Sequence, residues 1–474
     1  MPVAFAMPAT AGWTERSSRF PSSISRYNTR TFITDRRVGA SVSLEDTLPT
    51  PIQRVTGMHD VLPDDRRYWD MIIAAAEVLA GRYGFQRVDT PIIEATELFV
   101  RGVGEGSDFF VQKEMYTIPE ADGTSITLRP EFTAGFVRAY IQNGMHNWPQ
   151  PVKLYTIGPS FRRERPQAGR LRQHSQVNCE ILGEDDPAAD VEVMMLAMNL
   201  YRTLGFRGLT FQLNSTGCPR CKPAYIEKLV AYLDQHLDKL ADIDKERLSK
   251  NPLRVLDSKA VGMDQLLADA PHIADYLCDD CREHFADVRG MLDALGQSYT
   301  INFRLVRGID YYTKTVFEVW QEGIGSQAAL CGGGRYDGLA EDIGGSPTPG
   351  VGFGSGIERI ALGMKEQGVA PPPADTPPVL VAHFGGATKT EAVQLVFRLR
   401  AAGIGTRLAF ARRGRSLKSQ MREADRRGGR YVLIAGEAEL AQGKVAIRPL
   451  QDGEEQTLVA LDEIVDWIGG RLVA

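Results

Sequence analysis

Between Ile157 and Leu182 the chain reads IGPSFRRERPQAGRLRQHSQVNCEIL, with arginines at 162, 163, 165, 170 and 172 and Glu164 among them. Guanidinium groups at this density suit polyphosphate or nucleic-acid ends, because each presents a planar fork of donors matched to phosphate oxygens. The loop Arg165–Leu171 holds Pro166 and Gly169 as turn residues between two strand-like runs. On the second run a period of two places Arg172, His174, Gln176, Asn178 and Glu180 on one face. Ser175, Val177, Cys179 and Ile181 fall on the other. A polar face of mixed sign is also what a solvated strand shows, so charge alone does not choose between the two.

Three other clusters carry chemistry. Cys218-Pro-Arg-Cys221 and Cys278-Asp-Asp-Cys281 each have the spacing of a tetrahedral zinc site. The gap from Cys221 to Cys278 exceeds what compact zinc ribbons use, so reduced thiols are expected and a structural zinc is not. Cys179 and Cys331 read as packing residues. Gly350, Gly352, Gly354 and Gly356 alternate along one run, but neither GxGxxG nor GxxxxGK[ST] occurs, so neither common nucleotide loop is present. The run Ala411 to Arg430 has Arg412, Arg413, Arg415, Lys418, Arg422, Arg426, Arg427 and Arg430 against Glu423 and Asp425, a net +6 in a chain of −5. Such a run is usually a solvated helix face.

The elements that must position these groups follow from periodicity. The chain has 474 residues, 43% of them apolar and 24% charged, a balance that fits a folded protein of several domains. No apolar run approaches the roughly 18 residues of a membrane span. Six cysteines are too few for a disulfide scaffold, which favours a reducing, cytoplasmic setting. Residues 1–50 contain Arg16, Arg19, Arg26, Arg30, Arg36 and Arg37 with many Ser and Thr, and read as a disordered extension. An organelle transit peptide shares that composition; an unstructured extension or a misassigned start is the plainer reading. Trp69, Ile72, Ile73, Ala76, Leu79 and Tyr83 have helical spacing, with Pro63 near the helix start and Gly84 at its end. Strand character is expected at Ser125–Leu128, Val152–Ile157, Leu209–Leu213 and Tyr299–Leu305. A Pro-rich stretch, Pro371 to Pro378, reads as a semi-rigid linker. Beyond it, strands at Val379–Phe384, Arg407–Phe410 and Tyr431–Ala435 alternate with a helix bearing Ala392, Leu395, Val396 and Leu399, which predicts a small α/β domain.

The combination is specific. FRRERP with its basic turn and strand resembles motif 2 of class II aminoacyl-tRNA synthetases. GVGFGSGIERI, Gly350 to Ile360, resembles their motif 3, and Pro91 in VDTPIIE their motif 1. LVRGIDYYTKTVFEVW at Leu305–Trp320, TLRPEFTAG at Thr127–Gly135 and GGGRYDGL at Gly332–Leu339 narrow the resemblance to the histidyl-tRNA synthetase family. Several ordered motifs from about Gln53 onward make coincidence negligible.

The resemblance implies an α+β fold: a catalytic core on an antiparallel sheet at 51–215 and 298–368, and a helical insertion at 216–297. A linker at 369–377 then leads to an α/β anticodon-binding domain at 378–474. It implies ATP as substrate with Mg2+, L-histidine and tRNA(His) as partners, and a homodimer through motif 1. Arg162 is then set against the α-phosphate, Arg359 against the γ-phosphate, and Arg307 near the histidine carboxylate and α-phosphate, with Gly354 and Gly356 beside the adenine. Glu180 and Tyr312 would face the imidazole, Glu131, Thr133 and Gln176 the α-amino group, and Tyr311 and Tyr336 would line the pocket. Arg412, Arg413, Arg415 and Lys418 would meet tRNA phosphates. Leu305 and Val306 place Arg307 at a buried strand end. Phe132 stands where many relatives have Gly and is expected to reshape the pocket edge. The rival reading is the synthetase-like regulatory subunit of histidine biosynthesis, which typically lacks the last domain.

Overall fold

The computed structural model describes residues 51–103, 114–164, 170–321, 329–373, 376–410, 415–450 and 455–473. The reading of 1–50 as an extension falls outside these, as do Arg165, Arg412 and Arg413. The first helix, Pro63–Arg82, starts on a proline whose missing N–H has no helical partner to lose, and Asp64 and Asp65 sit at the positive end of its dipole. Ile72, Ala76, Leu79 and Ala80 are its buried stripe.

The strands, in chain order, are β1 Gln86–Arg87, β2 Ile93–Ala95, β3 Tyr116–Pro119, β4 Ser125–Leu128, β5 Val152–Phe161, β6 Gln173–Leu182, β7 Leu209–Ser215, β8 Tyr299–Ile301, β9 Thr313–Gln321, β10 Ala329–Arg335 and β11 Gly350–Gly356. Eight of them form one sheet in the order β1-β5-β6-β11-β10-β9-β7-β8. It is antiparallel except at its edges, where β1 runs with β5 and β8 with β7. One face is buried by helices Pro63–Arg82, Pro187–Thr203, Asp279–Ala294 and Ile357–Glu366, which meet Val177, Cys179, Ile181, Phe317, Val319, Val351 and Phe353. The opposite face carries Asn178 and Glu180 of β6, so the period-two reading holds.

Two expected strands are shorter. β8 stops at Ile301, and Arg307 lies in a loop rather than at a strand end. The loop is held because Leu305 packs into the core around Tyr311 and Tyr336, while Asn214 Nδ2 donates to the Leu305 carbonyl at 3.1 Å. A side-chain amide thus does what a neighbouring strand would have done. Similarly the run expected at Arg407–Phe410 is strand only over Thr406–Leu408, with Phe410 exposed.

The segment between β7 and β8 is helical, with its own core around Tyr225, Leu229, Leu233, Val255, Leu267 and Cys281. Arg304 fastens it to the sheet by donating to Leu256 O at 3.1 Å, Ser258 O at 2.9 Å and Asp264 Oδ1 at 2.6 Å. After the proline stretch come β12 Val379–His383, β13 Thr406–Leu408, β14 Tyr431–Ala435, β15 Lys444–Pro449 and β16 Thr457–Ala460, in the order β13-β12-β14-β15-β16. Helix Gly386–Ala401 covers one face of this sheet and helix Leu417–Arg426 the other.

Candidate active site

On the site-bearing face of the large sheet, glycines alternate along two neighbouring strands. Gly332 of β10 pairs with Gly354 of β11, and Gly334 with Gly352. Strand glycines mark places where another group must lie close to the backbone, and a Cβ built at each shows which group. At Gly332 it would overlap the Arg307 guanidinium, and at Gly334 it would stand 2.8 Å from the Tyr312 ring. At Gly350 it would strike the Tyr336 ring, at Gly352 the Glu180 carboxyl, and at Gly354 Asn178 Oδ1 at 2.9 Å. The glycines therefore form a flat floor under the protein's own side chains. Gly332 of β10 and, on β11, Gly354 and Gly356 also border open space.

That space is a cleft of about 1100 Å³ whose walls include Arg162, Gln176, Arg307, Gly354, Gly356 and Arg359. Residues far apart along the chain are thus brought to one cavity. Arg162 Nε donates to Pro130 O at 3.1 Å, and Arg359 Nη1 to Ala329 O at 2.7 Å, so both guanidinium groups are oriented from behind. Arg307 pairs with Glu318, whose other oxygen accepts from Trp320 Nε1 at 2.7 Å. Burial works against the Arg307 charge, but Glu318 beside it raises its pKa overall.

Behind the cleft lies a closed polar compartment holding the other expected residues. Glu180 is fully buried and accepts from Thr133 Oγ1 at 2.7 Å, Tyr336 OH at 2.5 Å and Asn178 Nδ2 at 3.4 Å. Glu131 accepts from the backbone N–H groups of Thr133 at 2.5 Å and Ala134 at 3.0 Å, where helix Thr133–Gln142 begins. Tyr311 stands 4.7 Å from Tyr312 and 5.6 Å from Tyr336, ring to ring. Burial pushes the Glu180 carboxyl up to about 8 and raises Glu131 as well. Two carboxyls and three phenols facing inward can take up a small cationic group with N–H donors. Phe132 is fully buried, 4.1 Å from the Arg129 guanidinium, in the same apolar cluster as Tyr311, Tyr312 and Tyr336.

Glu180 yields a prediction with a pH sign. The carboxylate is the acceptor form, and its fraction in the free protein grows as pH rises through about 8. The kcat/KM for a ligand that needs this acceptor should rise along that limb, and Glu180→Gln should remove it. Stability goes the other way. A carboxyl raised from 4.5 to about 8 binds more protons folded than unfolded, so stability falls across that window. Glu180→Gln should lessen that fall in thermal melts at pH 5 and 8, whereas equal slopes for both proteins would remove Glu180 as the titrating group.

Several supports have no clear mark in the sequence. Gly332 has one that is easily passed over: three consecutive strand glycines signal a close approach. Glu318 and Glu358 also line the cleft; Glu358 accepts the Ser175 N–H at 2.8 and 3.1 Å, and burial lifts it to about 7. Mg2+ needs only one or two carboxylates beside phosphate oxygens, so this donor set fits the ion that accompanies ATP. Arg335 is fully buried, pairing through Nε with Asp190 Oδ2 at 2.9 Å, while His284 Nε2 lies 3.2 Å from Asp190 Oδ1. His284 belongs to the helix that carries Cys281. The four cysteines, expected to be reduced thiols without zinc, are brought together: all four Sγ atoms lie within 4.8 Å of one another.

In the last domain, Arg415 is engaged by Glu423 at 2.5 Å and by Phe410 O at 3.2 Å. Lys418, Arg422 and Arg426 are exposed at intervals of four on helix Leu417–Arg426, while its Gln420 and Ala424 are buried. One face of the helix is therefore basic and open.

The sequence matches the family model described as histidyl-tRNA synthetase over residues 57–360 and that of an anticodon binding domain over 378–471. It is 47% identical to a histidine–tRNA ligase of Pelotomaculum thermopropionicum, covering 88% of this chain and 98% of that one. It is 45% identical to one of Dehalococcoides mccartyi, over 87% and 98%. The structure resembles a crystal structure of apo histidyl-tRNA synthetase from S. aureus with a TM-score of 0.72 at 33% identity, covering 88% and 99% of the two chains.

Proposed function

The chain belongs to the histidyl-tRNA synthetase family, and on that premise we propose that it activates L-histidine with ATP and transfers it to tRNA(His). The observation that carries this reading is the cleft itself, with Arg162, Arg307 and Arg359 on its walls and the Glu180–Tyr336–Thr133 compartment behind.

In the first step the histidine carboxylate oxygen forms a bond to the α-phosphorus while the bond to pyrophosphate breaks. Two anions must meet, so fixed cations aimed at the reacting phosphate lower the barrier. Arg162 and Arg307 serve there, and Arg359 holds the departing phosphates. Gly354 and Gly356 leave room for the nucleotide. Mg2+ bound with ATP would be held by Glu318 or Glu358 together with the phosphates, and would neutralise phosphate charge. Glu131, Thr133 and Gln176 take the α-ammonium, and Glu180 and Tyr312 the imidazole, with Tyr311 and Tyr336 enclosing it. A buried acceptor of this kind discriminates far better than apolar packing can. In the second step a terminal ribose hydroxyl of the tRNA attacks the acyl carbon and AMP leaves.

The anticodon-type domain over 378–471 and the intact three arginines support catalysis over a regulatory role. Exposed Ile92, Ile93 and Ile118 beside Pro91 support pairing of two copies through motif 1. Among the described residues no helix is long and apolar enough to cross a membrane, and the unpaired cysteines support a cytoplasmic setting. Histidine-dependent ATP–pyrophosphate exchange tests the reading, and its absence in folded protein would defeat it.

The exposed stripe adds a prediction. Replacing Lys418, Arg422 and Arg426 together with Ala should raise the KM for tRNA and flatten its salt dependence, by about 0.7 to 0.9 in log–log slope for each phosphate no longer neutralised. Pyrophosphate exchange should be unchanged, since it needs no tRNA. A solvated helix face would leave both assays at the wild-type value.

A further inference from the structure

We propose that Cys218, Cys221, Cys278 and Cys281 bind one structural zinc ion. The inference stands apart from the ligase reading, because metal content is read without reference to activity. The Sγ atoms of Cys218 and Cys221 are 3.8 Å apart, those of Cys218 and Cys278 3.8 Å, and those of Cys221 and Cys281 3.9 Å. A tetrahedron of thiolates at the usual Zn–S length of about 2.3 Å has edges of about 3.8 Å. These separations are far longer than a disulfide bond, about 2.0 Å, and all six cysteines are unpaired. Among the described residues no other group of His, Cys, Asp or Glu gathers in this way.

The long gap that argued against zinc in the sequence is taken up by folding. The intervening chain forms its own core, in which Cys221 and Cys281 are buried, and returns Cys278 to the start of helix Asp279–Ala294. Cys218 and Cys278 remain partly exposed, which leaves a path for the ion. Four thiolates and one Zn2+ sum to −2, and part of that charge is offset. Cys221 caps helix Lys222–Asp234 and Cys278 caps Asp279–Ala294, so two positive helix ends face the cluster. Arg220 Nη2, which also pairs with Asp280, donates to Cys278 Sγ at 3.8 Å. Gly217 precedes the first pair with φ +66°, and a Cβ there would sit 2.8 Å from Cys221 Sγ. A glycine is therefore needed to close the knuckle.

The site would tie β7 to the helical segment just where β7 meets the inner compartment. Lys222 Nζ donates to Tyr312 O at 2.8 Å, and Thr216 Oγ1 to the same carbonyl at 3.2 Å. Zinc would thus brace the backbone of the tyrosine loop from behind.

The test is metal analysis of the full chain, made without a metal-affinity tag or chelator and titrated with zinc alone against a chromophoric chelator. About one zinc per chain is expected, lost in Cys218→Ser and Cys278→Ser but kept in Cys179→Ala. Exchange with cobalt in the wild type should give the absorption of a tetrathiolate site, which decides the matter even if the serine variants fail to fold. Stripping the ion should lower the melting temperature, and adding zinc should restore it. Failure to take up zinc, or an intact mass two hydrogens light per cysteine pair, would overturn the proposal.

Discussion

Gly332→Ala should lower the rate of histidine activation by about 100-fold or more while the protein still folds. The added Cβ would overlap the end of the Arg307 side chain, and a long side chain can swing away at little cost to the fold. Its cation would then be misplaced for the charge that develops on the α-phosphate, where a displacement of about 1 Å can cost two orders of magnitude. Arg307→Ala should give a similar loss, and combining the two should add little, since both remove the same interaction. Gly333→Ala is the contrast. Its Cβ would overlap Gly352 O and stand 2.7 Å from Phe353 Cβ on the packed face. Its damage should therefore appear in melting temperature and expression. Pyrophosphate exchange and thermal melts of the three single variants separate these outcomes. A fully active, folded Arg307→Ala protein would remove Arg307 from the mechanism.

Asp190→Ala should destabilise the fold by about 3 to 5 kcal/mol in denaturant unfolding, the range for breaking a buried ion pair. Among the described residues Asp337, 3.1 Å from Arg335 Nη1 and partly exposed, is then the one carboxylate left to the buried guanidinium. Asp190 and Arg335 are both fully buried, and Arg335 also donates to Glu184 O at 2.8 Å and Asp186 O at 3.2 Å. The pair joins the end of β10 to helix Pro187–Thr203, and His284 extends it to helix Asp279–Ala294. Replacing Asp190 and Arg335 together by Asn and Met should recover much of the loss, because no lone charge is then stranded. A change below about 1 kcal/mol for Asp190→Ala would put this pair in the class of exposed ion pairs.

How much of the molecule is legible in its sequence varies with the reach of the signal. The face of β6 that bears Gln176, Asn178 and Glu180 follows from alternation alone, because side-chain direction in a strand is local. Pro63 and the stripe Ile72, Ala76 and Leu79 mark the first helix for the same reason. The loop carrying Arg307 reads as strand but is not one, since its backbone is satisfied by Asn214, far away in sequence. Position along the chain puts Phe132 near the pocket, but only folding shows that its ring lies against Arg129 in the cluster that holds Tyr311 and Tyr336.

Residue types at short, fixed spacings suffice for the catalytic motifs, for the α+β architecture with its α/β tail, and for the family. Folding adds what no spacing contains: the glycines of β10 and β11 form a floor under Arg307, Tyr312, Tyr336 and Glu180. It also buries Arg335 against Asp190 and brings four thiols separated by a long insertion within 4.8 Å of one another. Spacing along a chain specifies direction only over a few residues. Which distant groups meet depends on how sheet and helices bury their apolar faces, and the close approaches at this site follow from that burial.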